Sequence, residues 1–257
     1  MRTAGSNHEG SSSGVMASVM RGGTTLRVPF RHMSSPHGDG AVPPGDAPYE
    51  EYVLSVGVGP HPLPWPEDAR YDLELLASGD RRNVLDEYRY WTVEAIVADL
   101  DTKRRPVHVA IQNWEHDFNI GSIVRTANAF NVAGVHILGR RRWNKRGALV
   151  TDRYLDVYHH ASVADMAAWF AERDIPIVGV DNLPGSRPLE TTALPERVCL
   201  LFGSEGPGLT DEAVAACTYL VAIGQSGSTR SINAGAAAAI AMYAWGLRWI
   251  STDLSSG

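Results

Sequence analysis

Val198-Cys199-Leu200-Leu201-Phe202-Gly203-Ser204-Glu205-Gly206-Pro207-Gly208-Leu209 is the stretch on which the fold turns. Val198–Phe202 is an unbroken apolar run and reads as a strand buried on both faces, as in parallel sheets. The chain then enters a loop with three glycines and one carboxylate. Glycine leaves bare backbone against which a neighbour or a ligand can lie. The spacing is not the GxGxxG of a dinucleotide loop and the P-loop lysine is missing, so phosphate cradling is not indicated. By itself the segment reads equally as a tight strand-to-helix turn with Glu205 in solvent. Thr210 then caps a helix over Asp211–Ala216, whose first turn holds two acids that suit the helix dipole.

Outward from this stretch, strands and helices alternate. Upstream, Val107–Gln112 is a short apolar run that reads as a strand. Residues 119–131 read as a helix with Ile120, Ile123, Val124, Ala127 and Phe130 inward, and 135–138 as a strand. Ser162 caps a helix through Ala171, and 175–180 is the next strand. Downstream, 219–223 is a strand and 232–250 a long Ala-rich helix. This alternation predicts an α/β fold with a mostly parallel sheet covered by helices on both faces. Ligands on such sheets bind beyond the carboxyl ends of the strands, where the glycine loop falls.

Two further segments occupy equivalent places. Asn119-Ile-Gly121-Ser-Ile-Val-Arg125 opens the helix after the first strand. Asn119 suits an N-cap, Gly121 permits close backbone approach, and Arg125 is a cation among apolar neighbours. The plain alternative is a capped helix whose arginine snorkels past the core. Ile223-Gly-Gln-Ser-Gly-Ser-Thr-Arg230-Ser231-Ile232-Asn233 is a polar loop that runs into a series of very small residues. Ser231 can cap the helix that follows, and the small side chains let that helix pack closely. The plain alternative is an ordinary capped core helix.

The chain has 257 residues, is 44% hydrophobic and 20% charged, and carries a net charge of −6. That composition supports a globular core and argues against indiscriminate coating of nucleic acid, though not against a local basic patch. No apolar run is long enough for a bilayer span, and no apolar region follows Met1-Arg2 as a secretory signal requires. Cys199 and Cys217 are too far apart for a CxxC motif and read as core residues in a reducing compartment, so a cytoplasmic location is expected. Residues 1–48 are rich in Gly, Ser, Pro and His and read as a disordered leader. Residues 49–105 form an N-terminal extension, in which Leu85, Tyr88, Val93, Ile96 and Leu100 mark one face of a helix over 83–101. The main domain spans 106–251. No cluster of metal ligands is present.

Together and in this order, the three segments resemble the TrmH (SpoU) family of SPOUT RNA methyltransferases, over residues 107–250. Asn119, Gly121 and Arg125 match its first motif. Gly203, Glu205 and Gly206 match the second, and Ser231, Ile232 and Asn233 the third. Two departures stand in the third motif: Ile232 where the family has Leu, and Ala-Gly-Ala-Ala after Asn233. The resemblance implies a trefoil knot, which sequence physics alone does not suggest. It also implies S-adenosylmethionine bound in the knot, with contacts at Val180, Asp181, Gly203, Ile223 and Ile232, and a homodimer with the active site near the subunit interface. Trp245, Leu247 and Trp249 are apolar enough for that contact or for the core.

The implied reaction is methyl transfer to a ribose 2′-hydroxyl of tRNA or rRNA, with Arg125, Asn119, Glu205, Ser231 and Asn233 as its machinery and no metal. A guanidinium is not normally deprotonated, so Arg125 serves better by orienting a phosphate and stabilising an alkoxide than as a free base. Arg140, Arg141, Arg142, Lys145 and Arg146, with Trp143 between them, offer phosphate contact and base stacking; the plain alternative is a solvated basic loop. His159 and His160 have no nucleophile motif nearby and suit structure or substrate contact better than catalysis. Two other readings of the whole chain are an RNA-binding protein without catalysis and an enzyme that methylates a base nitrogen.

Overall fold

Val107, Val109 and Ile111 point to one side of a strand, His108, Ala110 and Gln112 to the other, and all six are buried. This strand lies at the heart of a computed structural model that describes residues 18–21, 24–27, 57–114 and 119–249. Among the described residues of the first unit are two antiparallel strands, β1 (Ser18–Arg21) and β2 (Thr24–Arg27). The other expectations for the leader lie outside the described residues.

The second unit carries α1 (Leu73–Ser78), α2 (Val93–Asp101), β3 (Arg105–Asn113), α3 (Ile120–Ala129), β4 (Val132–Gly139), β5 (Val157–His160), α4 (Val163–Ala171), β6 (Ile177–Val180), β7 (Arg187–Pro188), β8 (Val198–Phe202), α5 (Asp211–Ala216), β9 (Tyr219–Ala222) and α6 (Ala234–Trp249). The seven later strands form one sheet, ordered β5-β4-β3-β8-β6-β9-β7, and every pairing is parallel. Period-two alternation divides the core. Val107, Val109, Ile111, Leu200 and Phe202 meet Ile120, Ile123, Met242 and Trp245 of α3 and α6. Ala110, Cys199 and Leu201 meet Met166, Phe170 and Ala213 of α4 and α5. Both faces are thus covered, as the long apolar strands required.

From β3 the chain steps outward through β4 to β5, then crosses to β6, and β8 later enters between β3 and β6. The sheet therefore changes winding direction at β3–β8–β6, and a crevice opens beyond their carboxyl ends. Among the described residues no helix is long and apolar enough to cross a membrane.

Several boundaries differ from expectation for physical reasons. The helix expected over 83–101 is regular only from Val93, where the Thr92 hydroxyl accepts the Ala95 N–H at 3.1 Å. Before it, Tyr90 takes a positive φ of 63° so that its N–H can reach the carboxylate of Asp80, a fully buried acid that Arg82 also binds. That long-range demand breaks the helix, and Leu85 is left 66% exposed rather than inward. The last helix starts at Ala234 rather than at residue 232, because Asn233, not Ser231, caps it.

Under α4 lies a file of histidines. His108 Nδ1 is 3.1 Å from His136 Nε2, and His136 Nδ1 is 2.8 Å from His160 Nε2. His160 is therefore structural, while the exposed His159 ring bonds the Gly139 carbonyl. Burial pushes the His108 ring down from 6.5 to about 4 and His136 lower still, with mutual repulsion of the rings adding at His136. Below pH 6.5 the unfolded chain takes up protons that the folded chain refuses, so stability is intact above 6.5 and declines as pH falls towards 4. The expected slope approaches about 1.4 kcal/mol per pH unit for each ring held neutral. Denaturant titrations at pH 7.5 and pH 5 check this, and His136→Gln is expected to lose less stability between the two.

Candidate functional site

A cleft of about 610 Å³ sits beyond the carboxyl ends of β6, β8 and β9. Val180, Asp181, Gly203, Glu205, Ile223, Ser231, Ile232 and Asn233 line it, with Asn182, Leu183, Gly208, Arg230 and Ala237. Every residue named above for the cofactor falls on this one surface.

The loop after β8 is closed on itself. Gly208 N–H donates to the Ser204 carbonyl at 3.0 Å, and a Cβ on Gly203 would overlap the backbone of Gly208 and Leu209. Gly203 is thus required by the loop's own backbone before any ligand arrives. Asp181 fastens the loop to β6: one carboxylate oxygen accepts the Leu209 N–H and the other the Asn182 N–H, both at 2.8 Å. From β3, the Gln112 amide donates to the Thr210 hydroxyl at 3.0 Å and accepts the Thr210 N–H at 3.1 Å.

The segment after β9 is clasped by the segment after β6. Gly224 N–H donates to Glu190 at 2.6 Å, and the Asn182 amide donates to the Arg230 carbonyl. Backbone amides, its own and that of Gly224, hold the Glu190 carboxyl below its ordinary value. Sequence reasoning passed over Glu190, Asn182 and Gln112. The polar Gln112-Asn113 pair at the end of an apolar strand was the available signal.

The three motif segments meet at one junction. Asn119 Nδ2 donates to Glu205 Oε2 at 2.7 Å, while Asn233 Nδ2 donates to Asn119 Oδ1 at 2.8 Å and to Glu205 Oε1 at 3.2 Å. Asn233 Oδ1 accepts the N–H groups of Gly235 and Ala236 at 2.9 and 3.2 Å, capping α6. This pattern determines the amide orientations. Two backbone donors hold Asn233 Oδ1, so its NH₂ must face the junction, and Asn119 must accept there and offer its own NH₂ to Glu205. Asn119 was expected as a side-chain cap; it stands at the cap position but makes no side-chain cap bond, because the junction takes its side chain. Glu205 lies at the N-terminus of α3, where the helix dipole favours a carboxylate.

Arg125 is not part of this junction. It lies exposed, six residues further along α3 than Asn119, on the wall of a second cavity of about 720 Å³ that residues between Asn83 and Arg105 also line. Arg140, Arg141, Arg142, Lys145 and Arg146 are all exposed. Their loop is anchored at the carbonyls of Arg140 and Arg142, which accept from Asn113 Nδ2 at 2.7 and 3.0 Å. It packs on Gly121, where a Cβ would come within 2.8 Å of the Ala148 backbone nitrogen. Lys145 is paired with Asp152 at 2.6 Å and lies 5.4 Å from the Trp143 ring. Among the described residues no group of three or more His, Cys, Asp or Glu side chains could hold a metal ion.

The family model described as the SpoU rRNA Methylase family matches residues 106–243. The tRNA (guanosine(18)-2′-O)-methyltransferase of Escherichia coli (strain K12) is 26% identical over 156 residues, which is 58% of this chain and 67% of that protein. The SpoU methyltransferase AviRb from Streptomyces viridochromogenes, solved in complex with AdoMet, is 26% identical with a TM-score of 0.52, over 58% of this chain and 60% of that chain. The TrmH/SpoU tRNA modifying enzyme of A. aeolicus, 18% identical with a TM-score of 0.57 over 64% and 85% of the two chains, shares the fold. The chain thus spans about three fifths of the AviRb chain.

Proposed function

Because the chain belongs to the SpoU rRNA Methylase family, we propose that it binds S-adenosylmethionine in the cleft beyond β6, β8 and β9 and methylates a ribose 2′-hydroxyl of tRNA or rRNA. The observation that carries this reading is the junction of Asn119, Glu205 and Asn233, which ties all three motif segments together at the cleft. The cleft suits the cofactor: Val180, Phe202, Ile223 and Ile232 offer apolar walls for a purine, and the chain ends of three strands offer backbone groups. When bound, the cofactor supplies an electrophilic methyl group on a sulfonium.

The chain's own residues then hold the reactants in line, which accounts for much of the rate in such transfers. Asp181 and Glu190 set the two loops that form the cleft walls. Asn119, Asn233 and Glu205 lock those loops to α3, and Ser231 offers a hydroxyl at the cleft's edge. Arg125 orients a phosphate and steadies the negative charge that develops on the ribose oxygen. Arg125 stands outside the junction of its own chain, and in this reading a second copy presents it. Ile240, Tyr243 and Leu247 form an exposed apolar row on α6, at 42%, 59% and 56% exposure, suited to self-association. Trp245 does not serve there: it is 1% exposed and its indole N–H donates to the Pro195 and Glu196 carbonyls. Trp249 is likewise turned to the core, bonding the Leu194 carbonyl.

The trefoil threading is part of the same proposal, supported by the clasp of residues 182–190 on 224–230. So is the division into an extension over 49–105 and a methyltransferase domain over 106–251.

The test is transfer from methyl-labelled cofactor to unmodified tRNA and rRNA transcripts. Label in alkali-resistant dinucleotides supports ribose methylation, and label on a free base or none at all contradicts it. For the exposed basic loop, alanine at Arg140, Arg141 and Arg142 together is expected to weaken RNA binding about tenfold or more at low salt and to flatten its salt dependence. Filter binding at several salt concentrations checks this, and unchanged binding would leave the loop as solvated surface.

A further inference from the structure

The cavity shared by the extension and α3 lies at the amino edge of the sheet, where Arg105 opens β3 and Phe130 ends α3, whereas the cofactor cleft lies at the carboxyl edge. We propose that this cavity is a pocket for one unstacked nucleotide of the RNA substrate, supplied with its selectivity by the extension. The inference rests on the RNA-acting reading above.

Three features of its walls point to a nucleotide. The volume of about 720 Å³ accommodates one. The apolar side is aromatic: half-buried Phe130 and exposed Leu85 line it, backed by Tyr88 and Tyr154 at 4% and 5% exposure, which suits a planar base. The polar side carries Lys103, Arg105 and Arg125 beside Glu87, and Asp99 is bonded to Lys103 at 2.8 Å. Arg125, exposed on this wall, offers its guanidinium to a phosphate.

A fourth observation is independent of charge. Asn128 lines the cavity, and its Oδ1 is buried with no hydrogen-bond partner. A buried acceptor left unpaired is costly, so a bound group should bring a donor to it. The exocyclic amine of a base or a ribose hydroxyl does so.

The experiment is photo-crosslinking of the full chain to 4-thiouridine-substituted tRNA and rRNA transcripts, with the attached peptides mapped by mass spectrometry. Val84→Trp, which fills the cavity, and Asn128→Leu, which removes the acceptor, are assayed beside it for RNA affinity, cofactor affinity and thermal midpoint. Crosslinks at Tyr88, Phe130 or Tyr154, and a fivefold or greater loss of RNA affinity in both variants at unchanged cofactor affinity and midpoint, are the expected results. RNA bound but crosslinked only elsewhere, or bound undiminished by Val84→Trp, overturns the pocket and leaves the RNA-acting reading intact. Absence of any RNA binding overturns both. Should Val84→Trp lower the midpoint, Asn128→Leu and the crosslink map decide.

Discussion

Asn233→Asp is expected to lower methyl transfer by on the order of 100-fold while α6 keeps its cap. The aspartate oxygen still accepts the Gly235 and Ala236 N–H groups, as Asn233 Oδ1 does. What disappears is the NH₂ group that reaches Asn119 and Glu205. One of those bonds ends on a carboxylate, and the two together are worth about 2–4 kcal/mol. The substitution also sets two carboxylates against each other, which pushes the loop after β8 away from the helix. Asn233→Ala removes the cap as well and should cost about 1 kcal/mol more in stability. Transfer rates and thermal midpoints of the two variants separate the junction from the cap. Full activity in Asn233→Asp would mean that the junction is incidental to the reaction.

Arg125→Ala is expected to reduce transfer by about 1000-fold with cofactor affinity unchanged, since stabilisation of a developing oxyanion by one positioned donor is of that size. Its position makes a sharper test possible. Within one chain Arg125 lines the second cavity and is absent from the cleft lining. Mixing Arg125→Ala with Asn233→Asp chains places an intact arginine on one copy and an intact junction on the other. If the arginine serves the opposite copy, random pairing restores about a quarter of the sites in a two-fold dimer. No recovery on mixing would assign Arg125 to its own chain or to structure alone.

Legibility in the sequence tracked how local each signal was. β8 over Val198–Phe202 and α5 over Asp211–Ala216 agree with their expected bounds, because an unbroken apolar run and a threonine cap with two following acids need nothing from elsewhere. The start of α6 is offset by two residues because Ser231 and Asn233 are both plausible caps, and only the fold around Glu205 selects between them. The irregular path before α2 answers to Asp80, ten residues from the Tyr90 N–H it receives. Periodicity reports each strand but not its neighbours, so the insertion of β8 between β3 and β6 could not be read from the chain. The junction bonds join residues 86 and 114 positions apart, beyond any spacing argument. Resemblance of the motifs singled out Asn119, Glu205 and Asn233, which the fold brings to one junction. It did not anticipate that Gly203 is required by its own loop, or that one chain leaves Arg125 on another wall.

Calorimetric titration of the full chain with S-adenosylmethionine, beside Ala237→Phe, tests the central claim most directly. Ala237 lines the cleft from α6, so a phenyl ring there obstructs the site. The account predicts one site per chain in the unsubstituted protein and its loss in Ala237→Phe at an unchanged thermal midpoint. Folded protein that takes up no cofactor at millimolar concentration, or an Ala237→Phe variant that binds it undiminished, would contradict the assignment of this cleft.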